Sequence, residues 1–372
     1  MKRMRRSLVH STVKSRETAI KSRKRKEDNG KRIPLLSSGS TCLNLACSDS
    51  HRGAFALGST VNIIGDSSSG KTLLAKTIIA EAARSKEFDE YLFIYDNVER
   101  VDHFDNEKLF GKQAVERTIP PKYDRETGNP SFSRTVEDFE YSLLYYLKKE
   151  QSFIYVVDSF DSLTSEVELA KADAILKARE TGKEMSGSYG AERAKEFSGL
   201  FRKLNGLLER SKSILFVISQ TRDKIDSAFK EQTRAGGRAL KFYSTHEMWL
   251  AGIEILTKTV KGKNRKIGQK VRVRVSKNKI TGKPREVDFP LYYDYGIDDI
   301  RSCIDFLLSE KEWTGSAHSI NSKGFFDQTL TREGIIEKVE AEAKERALRR
   351  VVQQTWDDIE EALKLNRKRR YE

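Results

Sequence analysis

Cysteine, long apolar runs and paired metal-ligand spacings are scarce in this 372-residue sequence. Its three cysteines, Cys42, Cys47 and Cys303, form no C-x-x-C pair and have no histidine pair at ligand spacing. That excludes a zinc site and reads as reduced thiols in a cytoplasmic compartment. No apolar stretch approaches the ~20 residues that span a bilayer. The basic N-terminal region is not followed by a hydrophobic segment, so the secretory-signal pattern is missing. No internal repeat of solenoid type is visible. The length allows one large α/β core of about 200–250 residues with appendages.

Charge is plentiful but uneven, with a net of +14. Residues 1–32 carry thirteen Lys/Arg against Glu17, Glu27 and Asp28, a net of +10 that leaves +4 for the other 340 residues. With almost no bulky apolar side chains, this segment predicts a disordered basic tail and a candidate nucleic-acid-binding arm; a localisation patch or a solubilising extension are the plainer readings. Arg367-Lys368-Arg369-Arg370 carries the same ambiguity.

The most informative stretch is Gly65 to Thr72, which reads GDSSSGKT between the apolar run Val61–Ile64 and the helix-like Leu73–Ala80. It is a complete G-x-x-x-x-G-K-[ST] phosphate loop in a strand-to-helix context. Glycines let such a loop curl, so that successive backbone N–H groups and the helix N-terminus face the phosphates of a nucleotide. Gly65, Asp66, Ser67, Ser68, Ser69 and Gly70 are expected to cradle those phosphates. Lys71 would pair with the β- and γ-phosphates and Thr72 would hold Mg²⁺.

Strand-like runs recur at Val61–Ile64, Tyr91–Tyr95, Phe153–Val157 and Ile214–Ser219, separated by helix-like stretches such as Val136–Lys149. That alternation predicts a parallel sheet covered on both faces, with the active edge at the carboxyl ends of the strands. Pro120–Phe132, Lys183–Gly190 and Lys230–Gly237 read as surface loops. Lys270–Lys279 alternates as a half-buried strand with Val271, Val273 and Val275 on one face. Thr331–Leu365 predicts one long amphipathic helix or a pair, striped by Ile335, Val339, Val352, Trp356, Ile359 and Leu363 and packed on the chain's own core.

A phosphate loop needs a carboxylate that holds Mg²⁺ through water, and Asp158, followed by Ser159, ends one apolar strand. Hydrolysis needs a group that orients or deprotonates water. Asp96 and Glu99 both follow the strand Tyr91–Tyr95, and the sequence does not choose between them. Gln220 ends a third strand, placed to sense the γ-phosphate.

On Leu36–Ser40, Gly65–Thr72, Val156-Val157-Asp158-Ser159, Ser219-Gln220, Gly236–Tyr243 and Val275–Lys279, the chain resembles the bacterial RecA recombinases and their phage relatives. The likeness covers about residues 35–300. The GGRALKFY and SKNK segments separate it from a generic phosphate-loop ATPase. The resemblance implies a RecA-like P-loop core with a mostly parallel central sheet flanked by helices over 33–300, after the tail at 1–32 and before a mainly helical region at 301–372. It puts the catalytic carboxylate near Glu99, where this sequence has extra residues around Asp96–Val98. Gln220 would couple the γ-phosphate to a second DNA-binding loop, Thr221–Gly237, with Arg222, Gly236 and Gly237 nearest the DNA. A first loop would span Glu166–Ala194, followed by DNA-proximal Lys195 and Arg202. Phe242 would transmit the ATP state across a subunit interface. Lys277 and Lys279 would reach a neighbour's ATP, in place of the ordinary solvated edge-strand pair. The N-terminal and C-terminal sections depart from the family, which makes this a divergent relative of phage or mobile-element type.

The expectation is an ATP- and Mg²⁺-dependent, DNA-dependent ATPase that coats single-stranded DNA as a helical filament, also engages duplex DNA, and promotes homologous pairing and strand exchange. It would work in the cytoplasm at the nucleoid, or in the host cytoplasm if phage-encoded. A RecA-fold ring helicase or motor and a nucleotide-switched DNA-binding accessory protein are the alternatives.

Overall fold

The computed structural model describes residues 34–102, 104–180, 191–223, 232–234, 237–368 and 370. The basic tail over 1–32, Lys183–Gly190 and Gly236 lie outside them.

Runs of β-branched and aromatic residues build a ten-stranded sheet. In chain order its strands are β1 Thr60–Gly65, β2 Leu92–Asn97, β3 Thr118–Ile119, β4 Phe153–Asp158, β5 Ile214–Asp223, β6 Gln232–Arg234, β7 His246–Val260, β8 Lys263–Asn278, β9 Arg285–Tyr292 and β10 Gly296–Ile297. Across the sheet they run β10-β9-β8-β7-β1-β5-β4-β2-β3, with β6 on β5. From β7 to β3 all neighbours are parallel. The β7–β10 end and β6 are antiparallel.

The helices are α1 Thr41–Ser48, α2 Lys71–Ala83, α3 Asn106–Phe110, α4 Lys112–Arg117, α5 Val136–Lys148, α6 Glu166–Glu180, α7 Ala191–Ser211, α8 Gly237–Tyr243, α9 Asp299–Ser309, α10 Arg332–Ala341 and α11 Glu345–Ala362. They cover both faces, which is why the central strands read as continuous apolar runs. Strand residues alternate between two cores. Tyr95, Ile154, Val156, Phe216 and Ile218 pack with α1, α2, α9, α10 and α11. Ile94, Phe153, Tyr155, Val157 and Val217 pack with α5 and α7. Helix α5 buries Val136, Phe139, Leu143 and Leu147, and the Thr135 hydroxyl accepts from the Asp138 N–H at its start. Each large apolar side chain buried this way contributes roughly 1.5–3 kcal/mol.

The C-terminal amphipathic section is a pair of helices. The chain turns between α10 and α11 where Ala343 takes φ +49°. Ile335, Val339, Val352 and Trp356 are buried against the first core, whereas Leu363 is exposed. The expected first loop over Glu166–Ala194 is different: Glu166–Glu180 is helix α6, and α7 begins at Ala191. The run EVELAKADAILKARE holds strong helix formers and no Gly or Pro.

The strand expected at Lys270–Lys279 begins earlier, at Lys263. Only His246–Leu250 of β7 pair with β1, and only Gly268–Val275 of β8 pair with β9. Beyond those contacts, over Thr257–Val260 and Lys263–Lys266, the two strands pair with each other alone and project as a ribbon about 15 Å long. It leaves the sheet at the edge where β1 ends in the phosphate loop.

Candidate functional site

The phosphate loop turns from β1 into α2, and its geometry depends on residues without bulk. Gly70 sits at φ +94° and Ser68 at φ +62°, backbone that only glycine adopts freely. A Cβ at Gly65 would lie 2.6 Å from the Leu250 carbonyl oxygen, so the loop must cross β7 at a glycine. The Gln269 amide, at the root of the ribbon, donates to the Ser68 carbonyl at 2.8 Å and props the left-handed residue. Ser69 Oγ is buried and has no hydrogen-bond partner among the described residues. An oxygen-rich anion at the start of α2 would satisfy it.

Lys71 folds its ammonium onto the loop, donating to Gly65 O at 2.9 Å and Asp66 O at 2.6 Å. Burial pushes its pKa down, while the negative charges of Asp158, Glu99, Asp66 and Asp161 oppose that shift. Thr72 donates its hydroxyl to Asp158 Oδ2 at 2.7 Å. A hydroxyl and a carboxylate at that spacing are the hard oxygen donors that Mg²⁺ takes beside a nucleotide. Burial pushes the Asp158 pKa up, and hydrogen bonds from Tyr95 and Thr72 hold it back.

The choice between Asp96 and Glu99 follows from the pleat. Successive residues of β2 face opposite sides. Tyr95 faces the phosphate-loop side, where its hydroxyl donates to Asp158 Oδ2 at 2.5 Å. Asp96 therefore faces away. It is fully buried, accepting from Tyr155 OH at 2.8 Å and Ser133 N at 2.9 Å. Glu99 comes after the strand has ended and returns to the site, where Oε1 accepts from Ser159 Oγ at 2.7 Å and Gln220 Nε2 at 3.0 Å. The Gln220 backbone N–H donates to Asp161 Oδ2 at 2.5 Å, and the Thr221 hydroxyl bonds the Asp66 carboxylate. Thus Lys71, Thr72, Asp158, Glu99 and Gln220 converge on one edge. Tyr95 and Asp161 were not singled out by the sequence, because a tyrosine inside a strand and an acid in a short turn look structural.

Lys277 and Lys279 are not part of that convergence within one chain. Lys277 pairs with Glu247 at the start of β7, next to the His246–Val61 pair, and Lys279 follows just beyond, whereas the phosphate loop follows Gly65 at the other end of β1. That separation is roughly 13 Å along the strand. Instead they cap α8: Lys277 Nζ donates to the Lys241 carbonyl and to Phe242 O at 2.9 Å, and Lys279 Nζ donates to Phe242 O at 3.2 Å. Cations at a helix C-terminus satisfy its last carbonyls and complement its dipole. Phe242 itself is 71% exposed.

The expected DNA-contacting positions are dispersed. Lys195 lies on α7, and Arg202 is an exposed residue of the same helix. Arg222 lies near the end of β5, and Gly237 opens α8. Thr221–Asp223 and Gln232–Arg234 pair as the stem of the expected second loop. The ribbon formed by β7 and β8 was missed. Its exposed Lys258, Lys261, Lys263, Arg265 and Lys266 lie in a run, Thr257–Lys266, that contains no acid.

Comparison with known proteins agrees with this geometry. Residues 154–298 match the family described as the RecA N-terminal domain. Protein RecA of Ehrlichia chaffeensis is 28% identical over 296 residues, covering 78% of this chain and 73% of its own length. Protein RecA of Rubrobacter xylanophilus is 29% identical over 279 residues, covering 74% and 70%. Protein RecA of Borreliella afzelii is 26% identical over 336 residues, covering 88% and 83%. With a mostly parallel sheet, a phosphate loop at its carboxyl edge and these relatives, the chain is similar to the RecA recombinases, as a divergent relative.

Proposed function

We propose that this chain is a DNA-dependent ATPase that assembles head to tail on single-stranded DNA and promotes homologous pairing and strand exchange. One observation carries the reading. Thr72, Asp158, Glu99 and Gln220 meet at one edge of the sheet, while Lys277 and Lys279 stand at the other. Each chain then offers a phosphate-loop site at one end of β1 and, at the other, a pair of cations seated on the last carbonyls of α8. A head-to-tail neighbour supplies one to the other, and contacts whose rotation does not close give a helical filament.

In that assembly the loop N–H groups and Lys71 bind the phosphates of ATP. Thr72 and, through water, Asp158 are the residues that would hold Mg²⁺, whose charge neutralises the phosphates. Glu99 orients the attacking water and takes its proton. Gln220 exchanges its bond to Glu99 for one to the γ-phosphate, moving the stem at Thr221–Asp223. Lys277 and Lys279 stabilise the charge on the transferring phosphoryl group from across the interface, as an arginine finger does.

DNA contact is supported by the free-standing cationic ribbon and by exposed Arg202. Lys195, Arg222, Gly236 and Gly237 are proposed contacts on the resemblance. Among the described residues no helix is long and apolar enough to cross a membrane. Cys42, Cys47 and Cys303 are free and buried, in keeping with a cytoplasmic, reducing setting.

The test is ATP turnover with and without single-stranded DNA at several protein concentrations, for wild type, Lys71→Ala and Lys277→Ala/Lys279→Ala. Turnover that rises with DNA and concentration and collapses in both variants supports hydrolysis between subunits. Turnover indifferent to DNA and to the two lysines overturns the filament and leaves a nucleotide switch.

A further inference from the structure

Asp158 is held by a group that the nucleotide motifs do not contain. Its Oδ2 accepts two hydroxyls, Thr72 at 2.7 Å and Tyr95 at 2.5 Å. We propose that Tyr95 is a positioning residue for the Mg²⁺-holding carboxylate, and that Lys76, on the phosphate-loop helix itself, locks Tyr95 in place. This rests on the nucleotide and Mg²⁺ reading given above.

The geometry has three links. First, two donors on one oxygen fix the rotation of the carboxylate, where Thr72 alone would leave it looser, and Asp158 so held would be ready to help hold Mg²⁺. Second, the tyrosine is a neutral donor, since a phenol ordinarily titrates at about 10, and its hydroxyl lies within direct hydrogen-bond reach of Oδ2. Third, the ring needs a clamp. It borders a cavity of about 240 Å³ shared with Lys76, Asp102, Asn106 and Phe110, so packing alone does not immobilise it. The Lys76 ammonium sits 5.1 Å from the Tyr95 ring centroid, also facing the rings of Phe104 and Phe110. Asp102 at 2.5 Å and Asn106 at 2.8 Å hold that ammonium. Lys76 follows Thr72 by one helical turn, so the metal-holding hydroxyl and the clamp share one face of α2. A path of direct contacts thus runs from Asp102 through Lys76 and Tyr95 to Asp158.

The experiment is a titration of Mg²⁺ against binding of a fluorescent ribose-labelled ATP analogue, read by anisotropy so that no turnover is needed. Partners behind a metal ligand typically change metal affinity by 10–100-fold when removed. Tyr95→Phe, which keeps the ring, should raise the Mg²⁺ concentration at half-maximal enhancement about tenfold, with analogue affinity in EDTA unchanged and the melting temperature lowered only as far as one lost buried hydrogen bond requires. Lys76→Met, which keeps the length and removes the charge, should shift it in the same direction by about threefold. A Mg²⁺ titration of both variants superimposing on wild type overturns the inference. Asp158→Asn separates the two readings: if it too leaves the Mg²⁺ response intact, the metal assignment is at fault; if it abolishes the response while Tyr95→Phe does not change it, only the positioning role fails.

Discussion

Gln220 donates its side-chain amide to Glu99 Oε1 at 3.0 Å, so the end of β5 and the carboxylate beyond β2 share an oxygen that Ser159 also engages. In the proposed ATP-bound state a γ-phosphate would compete for that amide and leave Glu99 with Ser159. Glu99→Gln should therefore retain ATP binding while turnover falls by about 10²–10⁴-fold. Asp96→Asn should leave turnover within about twofold of wild type, because its carboxylate serves Tyr155 and Ser133 on the opposite face. Phosphate release and equilibrium nucleotide binding on the same preparations check both. A collapse of turnover in Asp96→Asn with a normal melting temperature reverses the assignment.

His246 gives the fold a pH dependence of known sign. It is buried at the start of β7, stacked edge-on against Phe55, with Nε2 at 3.1 Å from the Cys47 carbonyl. Burial lowers its pKa from 6.5 to about 4. The unfolded chain then binds a proton that the folded chain does not, so stability contributed by neutral His246 is present above pH 6.5 and is lost as pH falls through about 4. The full span is worth roughly a few kcal/mol. Urea unfolding at pH 7 and pH 4.5 should show a smaller drop in His246→Gln than in wild type. An equal drop removes His246 as a source.

The legibility of this chain divides by how local each feature is. The phosphate loop is contiguous, and the buried parallel strands declare themselves as apolar runs ending in Asp158 and Gln220. Asp96 against Glu99 could not be read, because the answer depends on which face Tyr95 takes and where β2 stops. The Tyr95–Lys76 contact joins two elements whose separate patterns are an ordinary strand and an ordinary helix. The ribbon was hidden for the opposite reason: exposed on both faces, Thr257–Lys266 has no apolar alternation and reads as a loop. Helix α6 was legible from its composition, and the family likeness pulled the reading toward a loop.

Trp356 joins the C-terminal helix to the beginning of the core. It is buried, and its indole N–H donates to Asp49 Oδ1 at 3.0 Å. Glu360, one turn on, accepts from Lys283 at 2.6 Å and from Arg285 at 2.9 Å. Trp356→Ala should cost about 3–5 kcal/mol in urea unfolding, and Trp356→Phe about 1 kcal/mol for the lost hydrogen bond. Nucleotide affinity of the folded fraction should not change in either. A weakened nucleotide affinity would mean that α11 communicates with the phosphate loop.

The ribbon makes the sharpest electrostatic prediction. Lys258, Lys261, Lys263 and Arg265 are exposed and have no ion pair among the described residues, in contrast to Arg272 nearer the sheet, which Asp288 and Glu286 engage. Cations with no internal partner are available for phosphates, and each one so used releases a counterion, adding about 0.7 to the salt slope on single strands. Replacing all four by Gln should lower the slope of log Kd against log salt by up to about 3. Because the replaced side chains bury nothing, the melting temperature should stay near that of wild type. An unchanged slope would leave DNA contact to α7 and the stem of the second loop, with the ribbon as a bystander. A reduced slope with unchanged ATP binding would show that the ribbon holds DNA next to, but not through, the nucleotide site that Gln269 props at its root.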